Sequence, residues 1–299
     1  AKIYANAPVL VDEGKGENGN PWCLSFMTMF HMSNDSHLFR TASQLSAAGF
    51  SQDGTAWWKG AELFVPVYEG KLIHHFDHRW ATYEADGLTS RDCTLSEKAD
   101  PAFEPMPRYW VRKSEVDERL KKRNWGNDWL MSYRNITNAT NERTAISVVY
   151  PRCGVSNQFP NFFVEKPPAF AACLLANFTS LVLDFAARQK IGGAALNFFL
   201  VYQLPTIPPD FYTEPRLAFI TPKVLELTYT SHSLAPFARD LGHDGPPFAW
   251  DEDRRALLRA DLDAFYARAY RLTRDDLRYI LDPADVKGLD YPSETFRVL

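Results

Sequence analysis

The sequence predicts an α+β fold, in which a mixed part of sheet and helix over residues 1–210 is followed by a mostly helical segment over 211–299. Three observations support this prediction. The β-branched run at 143–151 is typical of a strand, whereas apolar residues at helical spacing between 174 and 185 indicate a helix with one apolar face. A proline-rich stretch at 205–209 separates the mixed part from the helical part, and it is the predicted boundary.

The composition is that of a globular chain. Its 299 residues are 45% hydrophobic, which is enough for a substantial core, and the formal net charge is −4. This charge excludes a basic field over the whole chain, although a local basic groove for nucleic acid remains compatible with it. The four cysteines form no C-x-x-C pair, which argues against a cysteine zinc site and predicts a reducing, cytoplasmic location. No apolar run is long enough to cross a bilayer, so no membrane partner is expected.

Local signals predict the elements of the first part. Thr41 and Gln44 have capping-box spacing, which predicts a helix that ends near Gly49. A second short, capped helix is expected from Ser114. Strands are predicted at 63–68, 108–111 and 143–151, and 23–32 is predicted to be a strand or a buried run. A further strand is predicted from 195 and leads into the proline-rich exit at 205–209.

Helices are predicted around and beyond the boundary. One long helix is expected after the "EKPP" stretch and runs to Lys190, with basic residues in its last turn. Proline at a first helical position predicts that another helix begins at 221–222. A long helix is expected from Asp251, and Thr273 with Asp276 predicts a further short one.

The stretch "YEGKLIHHFDHRWATYE" at 68–84 concentrates three histidines together with an aspartate, an arginine and a lysine. His74 and His78 stand four residues apart, as the two histidines do in H-E-x-x-H zinc proteases. However, His75 occupies the position of the general-base glutamate, and no third ligand is indicated. We therefore interpret the stretch as a polar surface or a ligand contact and expect no metal.

A metal-dependent nuclease is an alternative interpretation of the same stretch. Glu69 and Lys71 have the E-x-K spacing that ends PD-(D/E)xK nuclease motifs. Such triplets are frequent by chance, and Asp35 and Asp53 are the only nearby candidates for the preceding aspartate. The nuclease stays an alternative hypothesis.

Two further polar regions allow two interpretations each. The stretch "YRNITNATNERT" at 133–144 is either a turn that caps its own backbone or a loop that faces bases and phosphates. Its chemistry alone favours the turn. Arg188 and Lys190 end a predicted helix, where they complement the helix dipole. The basic run at 118–125 is either a solvated helix face or a set of phosphate contacts.

The sequence contains none of the common catalytic signatures. It lacks G-x-G-x-x-G, GxxxxGK[ST], G-x-S-x-G and a Cys/His nucleophile pattern. It also lacks N-P-P-Y and D-P-P-Y, the usual catalytic loop of amino-methyltransferases. Catalysis by this chain alone is therefore not indicated.

Six stretches occur in an order that resembles a known family. They are "FMTMFHMSNDSHLFRT", "VPVYEGKLIHHFDHRWATYE", "YRNITNATNERTAISVVYP", "FAARQKIGGAALNFFLVYQLPTIPP", "VLELTYTSHSLAPFARDLGHDGPPFAWDEDRR" and "LDPADVKGLDYPSETFRVL". The whole chain resembles the carboxy-terminal target-recognition region of type IIG-like adenine-specific DNA methyltransferases, which belong to restriction–modification and phage-defence systems.

The resemblance implies a DNA-recognition region that positions duplex DNA for methylation by an upstream catalytic domain of the same polypeptide. S-adenosylmethionine is expected in that upstream domain, and no cofactor is expected in this chain. Ser293 has the character of a helix cap whose helix has barely begun, which also indicates part of a longer protein. The implied partners are double-stranded DNA, the upstream domain and other subunits of a defence complex. A protein-binding scaffold is a further alternative, beside the nuclease.

The resemblance also shifts the interpretation of the polar regions toward DNA contacts. Arginine and lysine are expected to hold phosphates, and asparagine, arginine and histidine to contact bases. The predicted DNA-facing residues are Lys71, His74, His75, His78, Arg79, Arg134, Asn138, Asn141, Arg143, Arg188 and Lys190.

Overall fold

The computed structural model describes residues 2–139 and 141–288, and it confirms the α+β class. The strands are β1 (Leu24–Met27), β2 (Ser51–Asp53), β3 (Ala56–Lys59), β4 (Glu62–Tyr68), β5 (Ala81–Tyr83), β6 (Ser90–Asp92), β7 (Tyr109–Arg112), β8 (Trp129–Tyr133), β9 (Ser147–Pro151), β10 (Gly154–Val155) and β11 (Asn161–Val164). The α-helices are α1 (Lys2–Asn6), α2 (Ala42–Ala47), α3 (Leu95–Ala99), α4 (Lys113–Lys121), α5 (Pro168–Phe178), α6 (Leu181–Lys190), α7 (Phe198–Tyr202), α8 (Glu214–Thr228), α9 (Ala235–Asp240), α10 (Glu252–Ala269), α11 (Arg274–Leu281) and α12 (Pro283–Lys287).

Two sheets and a small β-ribbon form the mixed part. The first sheet is antiparallel with the strand order β1–β11–β8–β9. In the second sheet, β4 pairs antiparallel with β3 and β7 and parallel with β10, while β2 pairs with β3. Strands β5 and β6 form the ribbon. The first sheet is buried on both faces, because neighbouring residues such as Leu130 and Met131 point into two different cores.

The larger core extends across the predicted boundary near residue 210. Strands of the first sheet and helices α5, α6, α8 and α10 contribute side chains to it. The Tyr266 hydroxyl of α10 donates a hydrogen bond to the Cys173 carbonyl of α5 over 2.7 Å, and Tyr270 donates to the Pro205 carbonyl, also over 2.7 Å. The residues after 210 are mostly helical, as expected, and they pack on the first part. The division into two domains stays a prediction.

Three predicted elements are wrong in ways that have physical reasons. The apolar run at 195–209 forms the short helix α7 and not a strand. The helix predicted to run to Lys190 is two helices, α5 and α6, which meet at an angle of 61°. The Ser180 side chain accepts the N–H of Leu183 and so caps the start of α6. This local cap begins a new helix at a point where the apolar pattern alone predicts one continuous helix. The helix predicted to begin at 221–222 is α8, which begins at Glu214 and contains Pro222.

Several capping predictions are confirmed. Reciprocal capping boxes join Thr41 to Gln44 and Thr273 to Asp276, and Asp251 caps α10. Helix α4 begins at Lys113 without a side-chain cap, so the capped start predicted at Ser114 is wrong. Ser293 lies outside the described residues.

Within the described residues, no single helix is long and apolar enough to cross a membrane. Helices α5 and α6 reach that length and composition only as a bent pair.

Candidate functional site

The histidine-rich stretch is a tight loop between β4 and β5. A short 3-10 helix at Gly70–Leu72 starts it, and His74 and Asp77 then exchange two backbone hydrogen bonds of 2.8 and 3.1 Å. Phe76 between them adopts a left-handed φ of 55°, which is uncommon for a bulky residue. This turn separates the two histidines at 74–75 from the polar residues at 77–79.

Asp77 faces the interior and forms a buried ion pair. Its carboxylate lies 2.8 Å from the Lys98 ammonium, and the same carboxylate accepts the backbone N–H of Arg79 over 2.9 Å. Burial alone would raise the pKa of Asp77, but Lys98 and Arg255 outweigh it and hold the pKa below its usual value. The Lys98 ammonium also lies over the ring of Trp80, 4.6 Å from its centroid.

Arg79 is buried and binds backbone carbonyls. Its Nη1 donates to the carbonyl of Asp100 over 2.7 Å and to that of Phe103 over 3.2 Å. Its Nη2 donates to the carbonyl of Lys98 over 2.8 Å and to the carbonyl and hydroxyl of Thr230 over 2.9 and 3.1 Å. The prediction that Arg79 faces DNA is therefore wrong, because its guanidinium is enclosed in the protein and both of its Nη atoms bind interior oxygens, while its Nε has no partner in the described part of the chain.

His78 is likewise an interior residue. Its Nε2 lies 3.2 Å from the Ser231 hydroxyl and 3.4 Å from the Glu104 carboxylate, in a buried position. The prediction of a DNA contact at His78 is wrong for the same reason as at Arg79. The two histidines of the i, i+4 pair therefore lie in different environments, His74 at a partly exposed position and His78 in the interior.

His74 and His75 line a cleft between the loop and helix α10. Two adjoining cavities of about 420 and 380 Å³ share His74, His75, Ala256 and Arg259. We call the two cavities together the His75 cleft. Its remaining walls come from the α5–α6 junction, α11, the end of the loop at 133–144 and the Trp80–Trp250 region; they include Phe76, Glu142, Arg143, Thr179, Leu181, Asp263, Leu281, Lys98 and Asp253.

The two histidines are neutral at pH 7. Burial is the main cause that lowers the pKa of His74 to about 4; Asp77 opposes this shift, and Arg134, Arg143 and Arg259 add to it. Burial also lowers the pKa of His75 well below its usual value, with His74 and the last two arginines adding to the effect. A neutral imidazole has one donor and one acceptor nitrogen, so the pair offers hydrogen bonds and no positive charge.

His75 has unused hydrogen-bonding capacity. Only 6% of the residue is exposed, and neither of its ring nitrogens has a hydrogen-bond partner in the described part of the chain. Its ring meets that of His74 edge-on, and His74 in turn stacks on Trp80 with 4.5 Å between ring centroids. A buried polar side chain without a partner is uncommon in folded proteins and needs a reason.

Helix α10 supplies functional groups that the sequence interpretation missed. Arg255, Arg259 and Asp263 are spaced by four residues and therefore lie on one face. Arg259 is exposed and forms no hydrogen bond or ion pair with the residues described at 2–139 and 141–288. This i, i+4, i+8 spacing of charged residues is visible in the sequence, and it is the signal from which a polar face on α10 could have been predicted.

Asp263 connects the cleft to the start of α6. Its Oδ1 accepts the backbone N–H of Leu181 over 2.7 Å. Burial raises the pKa of Asp263 to about 6, and Arg143 and Arg259 oppose this rise. The group is therefore mostly ionised at pH 7 and takes up a proton in mildly acidic solution.

Two further predicted residues, Arg188 and Lys190, lie outside the cleft. Arg188 is buried, forms a 3.0 Å ion pair with Asp184 and donates to the carbonyls of Ala139 and Asn141, so the prediction that it faces DNA is wrong. Lys190 donates to Gln203 over 2.9 Å and does not line the cleft.

The loop at 133–144 is held in place by the interior. The carboxylate of Asp184 accepts the backbone N–H groups of Thr144 and Ala145, each over 2.7 Å. Arg134 is half-buried and packs on Gly70, while Asn138 is exposed. The backbone contacts of Asp184 agree with the turn interpretation, and the interpretation as a loop that faces bases and phosphates stays a prediction.

Glu69 and Lys71 meet at one aromatic ring. The Tyr83 hydroxyl donates to Glu69 over 2.8 Å, and the Lys71 ammonium lies 4.3 Å from the centroid of the Tyr83 ring. Across the described ranges, no group of three or more histidine, cysteine, aspartate or glutamate side chains is arranged to hold a metal ion.

The comparisons with known proteins do not identify a family. No protein-family model matches the chain, and no curated protein matches it. The resemblance to methyltransferase recognition regions therefore stays a prediction.

Arg79→Met provides a test of the interior role of this arginine. The substitution leaves several buried carbonyls without a donor, so we expect the free energy of unfolding to fall by about 3–5 kcal/mol. Urea denaturation of this variant beside Arg123→Met, an exposed control, measures the difference. Wild-type stability combined with lost DNA binding would place Arg79 on the surface and contradict the structure.

The buried histidines predict a loss of stability in mild acid. Below pH 6.5 the unfolded chain takes up protons at these positions, whereas folded His74 does so only near pH 4. The contribution of His74 is therefore complete above pH 6.5 and is lost as the pH falls toward 4. We expect a decrease of about 2 kcal/mol in the free energy of unfolding, allowing for partial exposure.

Asp263 offsets part of this acid effect, because folding raises its pKa to about 6. Its contribution to the free energy of unfolding is complete below pH 3.8 and is lost as the pH rises through about 6. Denaturation at pH 7 and pH 4.5 would measure the balance. His74→Gln should show a smaller decrease than wild type, and the exposed control His37→Gln should show the full decrease. An unchanged decrease in His74→Gln would show that folding does not lower the pKa of this histidine.

Proposed function

We propose that this chain is a DNA-recognition region of an adenine-specific methyltransferase, which holds duplex DNA for an upstream catalytic domain. The observation that supports it best is that Arg143 and Arg259, from two separate segments, line one cavity with His74 and His75. The ordered sequence resemblance supplies the methyltransferase context. S-adenosylmethionine then belongs to the upstream domain, and the location is cytoplasmic.

The chemistry of this surface suits two kinds of contact. Arginine guanidinium groups hold phosphates, which position a protein on the duplex without reading sequence. Exposed Asn138 and half-buried Asn141 offer the paired amide groups that recognise adenine edges. Neutral His74 adds a donor and an acceptor at the same place. The predicted DNA contacts that remain compatible with the structure are Lys71, His74, His75, Arg134, Asn138, Asn141, Arg143 and Lys190, of which Lys190 lies outside the cleft.

Acidic residues limit how strongly this surface attracts phosphate in general. Glu142, Glu252 and Asp253 lie at the walls of the His75 cleft, and Asp263 lies within it. Their charge offsets that of the arginines, which agrees with the overall charge of −4. We therefore expect affinity that depends on few phosphate contacts, with selectivity from base contacts.

Neither alternative function has a specific observation in its favour. Glu69 and Lys71 are both engaged with Tyr83, and no further carboxylate among the described residues joins them in a metal-binding group. A scaffold that binds only protein predicts duplex affinity that is weak and independent of salt.

Duplex binding and its salt dependence test the proposal. Fluorescence anisotropy with a labelled duplex of about 20 base pairs should give a log–log salt slope of about −3, as expected for three neutralised phosphates. Arg143→Ala should weaken binding and reduce the slope by about 1, whereas Arg268→Ala, exposed on the same molecule, should not. Thermal denaturation of each variant controls for folding. A flat salt response, or equal effects of the two substitutions, would reject the proposal.

A further inference from the structure

We propose that the His75 cleft binds a single nucleoside monophosphate, with the phosphate at the arginines and the base against His75 and the apolar wall. This inference rests on the cleft itself and goes beyond the proposed function, because reading a duplex groove requires no enclosed pocket. The larger cavity measures about 420 Å³, within the range of small-molecule sites.

The buried imidazole of His75 is the first observation that indicates a ligand. It is 94% enclosed, it borders both cavities, and its two nitrogens have no partner among the described residues. Burying such a group unpaired costs stability, and a ligand with a donor and an acceptor would remove that cost. The edge of a nucleobase carries both kinds of group side by side.

Cations in the same cleft indicate that the ligand carries a negative charge. Arg259 projects from α10 without an ion-pair partner in the described ranges, and Arg143 borders the same cavity. A phosphate group matches two guanidinium groups in one cleft.

The rest of the lining distinguishes a nucleotide from a bare anion. Ala176, Ala260, Leu277 and Leu281 give the cavity a mostly apolar wall, suited to a base and a sugar. The Asp263 carboxylate accepts the Leu181 N–H with one oxygen, and its Oδ2 has no partner in the described part of the chain. That oxygen would repel inorganic phosphate but accept a hydrogen bond from the amino group of adenine or cytosine.

Two sources could supply such a nucleotide. One is a residue unstacked from a DNA strand, which presents its base edge and phosphate together. The other is a free mononucleotide. The binding chemistry is the same for both, so 5′-AMP serves as the probe.

Isothermal titration with 5′-AMP tests the site directly. The wild-type chain should bind AMP saturably, and inorganic phosphate and adenosine should each bind at least about tenfold more weakly. Arg259→Gln should weaken AMP binding at least about tenfold, because a charge-assisted hydrogen bond is lost. Arg268→Gln, on the same helix, should leave it unchanged.

His75→Phe separates a binding role from a structural one. Phenylalanine fills a similar volume without unpaired nitrogens, so this variant should be as stable as wild type or more stable, yet bind AMP more weakly. No binding at about 10 mM AMP, equal affinity of the Arg259→Gln and Arg268→Gln variants, or unchanged AMP affinity of His75→Phe would each reject the nucleotide site.

Competition with DNA assigns the source. If the nucleotide comes from DNA, AMP should displace a duplex with a single-nucleotide bulge more readily than a fully paired duplex. If it is a free nucleotide, AMP should displace the bulged and the fully paired duplex equally, because both compete with AMP for Arg143 and Arg259; either result supports the site. Failure of all duplex binding would reject the proposed function alone, since the AMP titration needs no DNA.

Discussion

The buried guanidinium of Arg79 is the interaction on which the rest of the site depends. It binds carbonyls at the end of α3 and in the following turn, together with the carbonyl and hydroxyl of Thr230 just beyond α8. One side chain therefore joins the histidine loop, the 95–103 segment and the helical part of the chain. An arginine can do this because its planar group carries five donors and stays charged. Its burial is acceptable only because these oxygens replace water.

Around Arg79, charge pairing divides the histidine loop into two halves. Asp77 meets Lys98 at 2.8 Å in the interior, where removal of either partner would leave an uncompensated charge. By contrast, the Arg254–Glu226 pair on the surface has a similar distance of 2.7 Å but is largely solvated, and such pairs contribute little. The buried pair and Arg79 satisfy the polar groups at 77–79. His74 and His75 line the same cavity as Asp77 and Lys98, but the ring nitrogens of His75 have no partner in the described part of the chain, and this gives the cleft its hydrogen-bonding capacity.

The cleft exists because the two parts of the chain pack together. The mixed part contributes the histidine loop and Arg143, and the helical part contributes Arg259 and Asp263 from α10. The larger core continues beneath both parts, with hydroxyls of Tyr266 and Tyr270 bound to carbonyls of the first part. A surface that reads a duplex and a pocket that takes one nucleotide would thus share the same arginines. Either role, duplex binding or nucleotide binding, would require that the mixed part and the helical part keep a fixed position relative to each other.

The sequence by itself determined the features that depend on neighbours within a few residues. The capping boxes at Thr41 and Thr273 and the α+β class follow from local spacing, and the structure has them. Only the tertiary structure decided that 198–202 forms a helix, that Arg79 and Arg188 bind carbonyls inside the protein, and that Arg259 lines the same cleft as His75. The physical reason is that a polar side chain bears no local mark of its burial. Its environment is set by contacts from other segments, 151 residues away for Thr230 with Arg79 and 49 for Ala139 with Arg188, and the same kind of side chain can hold a phosphate or the protein's own backbone.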